Sequence, residues 1–165
     1  MTIDELRTHA AQKLQEINEY LEGGDMREVM AETAIDHFRG SFAGEGFTDA
    51  KLNPWQAVKR RDPDSPWYGH SGQTGKFSEA RTTAKILTGE TGHLRASFKY
   101  LPTAKGVRVQ NTAPYAAVHQ YGLPAKVYGK KPFTMPRRPF MGDSKEMRDK
   151  IQKAILADLE SILRR

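Results

Sequence analysis

The sequence predicts an α+β domain that consists of an N-terminal helical hairpin, a small antiparallel β-sheet and a C-terminal helix packed on that sheet. Two segments with helical periodicity lie before residue 42, apolar and polar residues alternate around residues 98–109, and a third helical segment follows residue 143. The 165 residues are enough for a single domain with its own core. Its predicted parts are the helical hairpin (1–42), a long loop (43–89), the sheet and its loops (90–142) and the last helix (143–165).

The N-terminal segment has an apolar residue at every third or fourth position, which predicts a helix from about Asp4 to Glu22. Gly23-Gly24 interrupts the pattern and predicts a tight joint to a second helix, hence a helical hairpin. Asp25 stands three residues before Glu28 and predicts a capping box at the start of that helix. His37 lies near its apolar face and is interpreted as a partly buried structural histidine, because no second metal ligand stands at helical spacing.

Residues 43–89 lack periodicity and are rich in Gly, Pro, Asp, Ser and Lys, which predicts a long loop without regular structure. Such a loop in a small domain is usually functional or disordered. Trp55, Trp67 and Tyr68 argue against full disorder, because aromatic rings need apolar cover. For these rings, packing within the subunit and contact between subunits are both open.

The segment GHSGQTGKF, residues 69–77, has the small residues and the lysine of a phosphate-binding loop. The Walker pattern, however, requires Ser or Thr after Gly-Lys and a glycine at the position of His70. Phe77 follows Lys76 here, so the hydroxyl that would bind magnesium is missing. We interpret the segment as a loop and expect no nucleotide cofactor.

The sheet is predicted from two alternating runs. Phe98 and Tyr100 alternate with polar residues, and Val107 and Val109 do the same after a break, which predicts an antiparallel hairpin connected through Pro102–Gly106. A hairpin of this kind has an edge that is open to strand addition.

The rest of the chain is predicted to be a short helix, an irregular stretch and a long helix. Thr112-Ala113-Pro114 predicts the cap and early proline of a helix over Tyr115–Tyr121, with Gly122 beyond its end. Residues 123–142 contain four prolines, so we expect extended segments that complete no ladder. Ser144 or Asp143 is expected to cap the last helix, whose apolar stripe should be buried.

Charge is distributed unevenly along the chain. Residues 1–42 hold 4 Lys/Arg and 9 Asp/Glu, residues 43–142 hold 16 and 6, and residues 143–165 hold 6 and 5. The basic middle could associate with an acidic protein surface or with nucleic acid, although its basic pairs, taken singly, are more typical of a solvated surface. No apolar run approaches the roughly 20 residues that span a bilayer, so we expect cytoplasmic synthesis and no membrane partner.

No pattern of catalytic residues stands out. Cysteine is absent, the five histidines have no metal-ligand spacing, and residues 91–142 contain no Asp or Glu. Catalysis needs a nucleophile beside a base, paired carboxylates or a metal cage. We therefore predict that the protein is not an enzyme and needs neither a metal nor another cofactor.

Three segments in order, KILTGETGHLRASF (85–98), NTAPYAAVHQYG (111–122) and MPRRPFMG (135–142), resemble the phage virion morphogenesis family of tail-completion proteins. The family has a Leu-x-x-x-x-Gly-x-Leu-Arg segment, a Tyr-Ala-x-x-His-x-x-Gly segment and a Pro-x-Arg-Pro-Phe segment. Trp55 resembles a tryptophan found upstream of them. The positions that match are Leu87, Gly92, Leu94, Arg95, Tyr115, Ala116, His119, Gly122, Pro136, Arg138, Pro139 and Phe140. Residues 59–80 depart from any family pattern that we can assign.

The resemblance implies a structural protein of the virion that completes the tail and joins it to the head, assembled in the cytoplasm of the bacterial host. The implied partners are copies of itself in a ring, the tail tube or tail terminator, and the head-connector proteins. For Tyr115 and His119, covering the sheet within one subunit is an alternative to contacting a partner. We expect the contact residues to include Trp55, Trp67, Arg95, Tyr115, His119, Tyr121, Arg137, Arg138 and Phe140.

A nucleic-acid-binding module that uses the basic middle is the rival interpretation, and contact with DNA is part of both. A hydrolase acting on cell wall or nucleotides is a distant third.

Overall fold

The computed structural model describes residues 2–72, 74–127 and 129–165, and for Val127 the backbone alone. Gln73, within the glycine-rich segment discussed above, therefore lies outside the described residues. The helices are α1 (Ile3–Glu22), α2 (Asp25–Gly44), α3 (Glu79–Thr83), α4 (His93–Ala96), α5 (Ala116–Tyr121) and α6 (Lys145–Arg164). The strands are β1 (Gly46–Thr48), β2 (Leu52–Pro54), β3 (Phe98–Thr103), β4 (Gly106–Asn111), β5 (Pro124–Val127) and β6 (Lys131–Thr134), and a 3-10 turn spans Lys59–Arg61.

The strands pair as three separate two-stranded antiparallel ladders, β1 with β2, β3 with β4, and β5 with β6. The longest ladder, β3–β4, pairs Phe98 with Asn111 at one end and Thr103 with Gly106 at the other. These ladders, the two N-terminal helices and the C-terminal helix confirm the predicted α+β class.

The core forms around the C-terminal half of α2. Phe42 is almost fully buried and lies 5.5 Å from the ring centre of Phe140 and 6.3 Å from that of Phe98. Trp55 meets Phe42 edge to face at 5.8 Å. Aromatic pairs at these separations add stabilisation to the burial of their area. The core therefore joins residues from α2, β3 and two loops that are far apart in sequence.

Helix α6 packs mainly along α2 and runs antiparallel to it. Its first turns share a cleft with His37 and Gly40, and its last turns share one with Tyr20 and Asp25. Ser144 is the N-cap: its Oγ accepts a hydrogen bond from the Met147 amide at 3.1 Å. Of the two caps considered, Ser144 is thus the one used. The apolar stripe of α6 is half-buried at best, with no residue of the helix fully buried.

His37 was predicted to be partly buried and is buried, and its Nε2 is hydrogen-bonded to the Thr48 carbonyl oxygen at 2.9 Å. The predicted capping box at Asp25 is not formed, because Gly24 occupies the cap position and Asp25 is already in the first turn. The carboxylates of Asp25 and Glu28 still favour that turn through the helix dipole. A capping box forms instead at the start of α1, between Thr2 and Glu5.

The expectation of a structureless stretch at residues 43–89 was wrong. It contains the β1–β2 ladder, the 3-10 turn, α3 and a bridge between His70 and Phe77. Gly69 has φ +63°, and a Cβ there would lie 2.4 Å from the Phe77 ring. That position therefore requires glycine for a close approach to an aromatic ring, a role unrelated to phosphate binding.

Three further details differ from the prediction. The β3–β4 connection is a two-residue turn, so Pro102 pairs within the ladder instead of lying in the connection. The Thr112 hydroxyl donates to the Ser97 carbonyl at 3.2 Å and does not cap α5, which begins after Tyr115. Finally, residues 124–127 and 131–134 do form a ladder, in which Pro124 pairs with Thr134. Among the described helices, none is both long and apolar enough to cross a membrane.

Candidate functional site

The segment Met135–Gly142 is fixed to the body by hydrogen bonds from three directions. The Trp55 indole donates to the Pro139 carbonyl at 2.7 Å, and the Ser41 hydroxyl donates to the Phe140 carbonyl at 3.2 Å. The Gln120 Oε1 accepts from the amides of Phe140 and Met141, and its Nε2 donates to the Met141 carbonyl at 2.6 Å. We call this segment with its three anchors the clasp.

Arg138 anchors the clasp to the loop after Trp55. Its side chain is buried, and the guanidinium donates to the Gln56 carbonyl from Nε at 3.2 Å and from Nη2 at 3.1 Å. Burial lowers the pKa of Arg138 below its usual value, yet an arginine remains charged at neutral pH. The charge is thus used to join two loops of the same chain.

The interior therefore contains three of the nine expected contact residues, Trp55, Arg138 and Phe140. For Trp55, of the two possibilities left open, packing within the subunit is the one observed. In this conformation these side chains cannot contact a partner directly. Their place in the clasp instead determines where the neighbouring exposed residues lie.

The remaining expected contact residues lie at or near the surface in separate places. Tyr115 is exposed and lies edge to face with half-buried His119, at 6.1 Å, while on its other side it approaches His93 at 6.1 Å. Trp67 lies in the loop before α3 and packs against His70 at 5.0 Å. The other three are exposed: Arg95, Tyr121 and Arg137. The structure thus brings Tyr115 and His119 together but leaves Trp67 in a different loop.

The surroundings of His119 favour the neutral form of its imidazole. Its buried Nδ1 has no hydrogen-bond partner, and desolvation, followed by the charge of Arg138, lowers the pKa of the imidazole. Burial and a neighbouring cation both disfavour the charged form of an imidazole, so the neutral form is preferred here.

This lowered pKa predicts a pH-dependent stability. Below about pH 6.5, His119 becomes protonated in the unfolded chain, whereas in the folded chain it takes up a proton only at a lower pH. The free energy of unfolding should therefore fall as the pH decreases from that value. His119→Gln should lose less stability than the parent between neutral and mildly acidic pH. Urea unfolding of both proteins across that range measures the difference, and parallel profiles would contradict the assignment.

Arg60 and Arg61 hold the residues around α3 to the end of α2. The Arg60 guanidinium donates to the carbonyls of Arg81 and, at 2.6 Å, Ala84. Arg61 pairs with Glu45 through two hydrogen bonds at 2.5 and 3.0 Å and also donates to the Ala84 carbonyl at 2.7 Å. This basic pair is therefore engaged within the chain, and it is not the solvated surface that the sequence favoured.

Glu45→Gln is expected to lower the free energy of unfolding by about 1–3 kcal/mol at neutral pH, since it weakens charge-assisted hydrogen bonds in a half-buried pair. The Arg61 hydrogen bond lowers the pKa of Glu45, so the stabilisation is complete above about pH 4.5 and is lost as the pH falls through the lowered value. Denaturant unfolding at two pH values measures this. Asp143→Asn, at the exposed pair with Arg148, is the matched control and should change little.

The described residues offer little of the geometry that catalysis or metal binding requires. None of the described His, Asp and Glu side chains form a group of three or more that could hold a metal ion. The Ser97 hydroxyl lies 3.3 Å from the His93 imidazole, but it donates to the His93 carbonyl at 2.6 Å. That hydroxyl proton is thus directed away from the base. The absence of an enzymatic function stays a prediction.

Two residues central to this arrangement were not singled out from the sequence. Gln120 occupies an unspecified position of the Tyr-Ala-x-x-His-x-x-Gly segment, and Glu45 is one acid in a glycine-rich stretch. Both bind backbone groups more than 15 residues away: Gln120 in the clasp, and Glu45 at the Ile86 amide, 2.7 Å from its Oε1. Sequence carries no local signal for such partners.

In this small α+β domain, hydrogen bonds within the chain fix the motif segments, and exposed elements surround them. Such an arrangement is suited to an assembly protein. Comparison with known families supports this class: the model of the phage virion morphogenesis family matches residues 10–160. The match covers most of the chain, so the protein belongs to the phage virion morphogenesis family, as the resemblance implied. Comparisons with curated proteins and with solved structures gave no match. Family membership assigns the chain a role in building the phage particle.

Proposed function

We propose that this protein completes the tail of a phage or prophage particle and helps to join it to the head as a homo-oligomeric ring. The observation that carries the proposal is the family match over residues 10–160. Such a component acts by presenting a rigid surface to its neighbours, and it needs no reacting group. Its partners would be other copies of the chain, the tail tube or tail terminator, and the head connector.

Two features of the fold support this proposal. The clasp fixes the loop that carries Arg137 against Gly122, the residue after exposed Tyr121, so the side chains of Arg137 and Tyr121 can meet a partner with little loss of conformational freedom. The ladders have only two strands among the described residues, so their edges are open to a neighbour.

Deleting the gene from the phage or prophage and imaging the particles tests this role. We expect separate heads and tails, and we expect the gene supplied in trans to restore joined particles. Joined particles at the parental yield without the gene would contradict the proposal.

DNA binding is the second candidate, because residues 91–142 contain nine Lys/Arg and no Asp/Glu. Of the basic pairs, however, Arg60-Arg61 and one residue of Arg137-Arg138 are already bound to groups inside the chain. A titration with duplex DNA at about 50 and 200 mM salt decides, since affinity based on phosphate contacts falls steeply over that range. An absence of binding at the lower salt would dismiss this candidate.

A further inference from the structure

From Ile3 to Leu14, helix α1 leaves its apolar stripe of Ile3, Leu6, Ala10 and Leu14 in solvent. Ile3, Leu6 and Leu14 are 74%, 54% and 63% exposed, and all residues from 2 to 12 are exposed. The side of α1 that packs on the body is marked by its buried residues, Lys13 and Tyr20. At about 100° per residue, this side is roughly a quarter turn away from the stripe. The stripe is therefore a large apolar surface that the subunit itself does not cover.

A second exposed element is the β5–β6 hairpin with its flanks, residues 123–127 and 129–137, which we call the basic arm. It contains four Lys/Arg and no Asp/Glu. Opposite residues of an antiparallel pair share a face, so Ala125 and Phe133 lie on one side of the arm together with Lys131. Leu123 and Phe133 are exposed large apolar residues. The arm thus combines apolar contact area with positive charge.

The stripe and the basic arm lie at opposite ends of α2. At one end, the Tyr20 hydroxyl of α1 donates to the Asp158 carboxylate near the end of α6, at 2.9 Å. At the other end, Ser41 of α2 binds the clasp, and the Met135 amide of the clasp donates to the Leu123 carbonyl of the arm at 3.1 Å. A helix of 20 residues is about 30 Å long. In the structure, the arm of the subunit leaves its own stripe exposed.

Charge favours the basic arm of another copy, and not a second α1 helix, as the element that covers the stripe. Helix α1 carries 2 Lys/Arg and 5 Asp/Glu, so two α1 helices would bring like charges together. The carboxylates lie mainly on the side of α1 away from the stripe, but a helix is only about 10–12 Å wide. A cation at the edge of the stripe would therefore lie close to one Debye length, about 8 Å, from these carboxylates. A basic, partly apolar element complements both the negative charge and the apolar stripe of this helix.

We propose that the apolar stripe of α1 is the docking site for the basic arm of a neighbouring copy, with Leu123 and Phe133 against the stripe and Lys131 towards the acidic side of α1. This inference rests on the proposed ring and names its subunit interface. Because the two surfaces differ and lie at opposite ends, the contact is head to tail. A head-to-tail contact closes into a ring when the rotation between subunits permits it.

Cysteine cross-linking tests the proposal, because the natural chain contains no cysteine. The full chain carrying Leu14→Cys and Phe133→Cys is treated with a short bismaleimide, both as concentrated purified protein and in assembled particles. We expect a ladder of dimers, trimers and larger species, since each copy links to two neighbours. Leu14→Cys alone should give no ladder. The matched control combines Phe133→Cys with Leu156→Cys, an exposed residue of α6, and should give none either.

A charge exchange adds a second readout. Lys131→Glu should reduce the ladder several-fold, and Glu19→Lys should restore it. An α1–α1 contact would instead give dimers with Leu14→Cys alone and would be insensitive to the arm.

Absence of the ladder in both samples, with both cysteines fully reactive towards a monofunctional maleimide, would overturn the interface. Failure of the proposed function has a different outcome: heads and tails would join without the gene, whether or not the purified protein forms the ladder.

Discussion

Phe140→Ala is expected to lower the free energy of unfolding by about 3–5 kcal/mol, the usual cost of truncating a buried phenylalanine. Its ring is 0% exposed and lies within 6.0 Å of the ring centres of Phe42 and Phe98. The backbone around it is held by Gln120 and Ser41, so the surroundings can collapse little into the cavity. For a domain with about 5–15 kcal/mol of stability, this loss is large.

Denaturant unfolding followed by far-UV circular dichroism measures this effect. Tyr121→Ala is the matched control, because Tyr121 is an aromatic residue of the same region that is 63% exposed, and its truncation should change stability little. A Phe140→Ala protein as stable as Tyr121→Ala would show that the clasp does not belong to the core.

Trp55→Ala is expected to cost a similar amount, about 3–5 kcal/mol, and to loosen the loop that follows it. The indole combines a buried ring, which packs edge to face on Phe42, with the hydrogen bond to the Pro139 carbonyl. Trp55→Phe keeps most of the ring packing and should cost less, because it removes mainly the hydrogen bond and leaves a smaller cavity.

Limited proteolysis separates the local effect of Trp55→Ala from the global one. Cleavage within residues 56–85 should accelerate more than cleavage in α6, because Trp55 and Arg138 together hold the start of this stretch. Equal stability of Trp55→Ala and Trp55→Phe would contradict the packing role of the ring.

The helices were the part of the fold that the sequence predicted best. Long apolar stripes at helical spacing are local signals, and they placed α1, α2 and α6 to within a residue or two. The same pattern could not show that the stripe of α1 lies in solvent, because periodicity reports an apolar face and says nothing about what covers it.

The β5–β6 ladder was missed because its prolines argue against a strand. Pro124 and Pro132 cannot donate to a ladder, but a two-stranded ladder has an outward edge on each strand where no donor is needed. The hairpin therefore tolerates both prolines. A count of prolines does not reveal which way each missing amide would point.

The sequence did not reveal that three of the expected contact residues are buried. Trp55, Arg138 and Phe140 belong to a basic, aromatic and proline-rich pattern that is also typical of docking loops. Their burial depends on partners about 80 to 100 residues away in sequence, Pro139, Gln56 and Ser41. Such long-range partners leave no periodic signal. By contrast, Tyr115 and His119 lie four residues apart in the sequence and do meet.

Electron cryo-microscopy of assembled particles, with an affinity-tagged copy of this chain, tests the central claim most directly. We predict a ring of copies at the end of the tail where it meets the head, with α1 of each subunit against the basic arm of the next. Particles in which heads and tails are joined but no density for this chain lies at their junction would contradict the account.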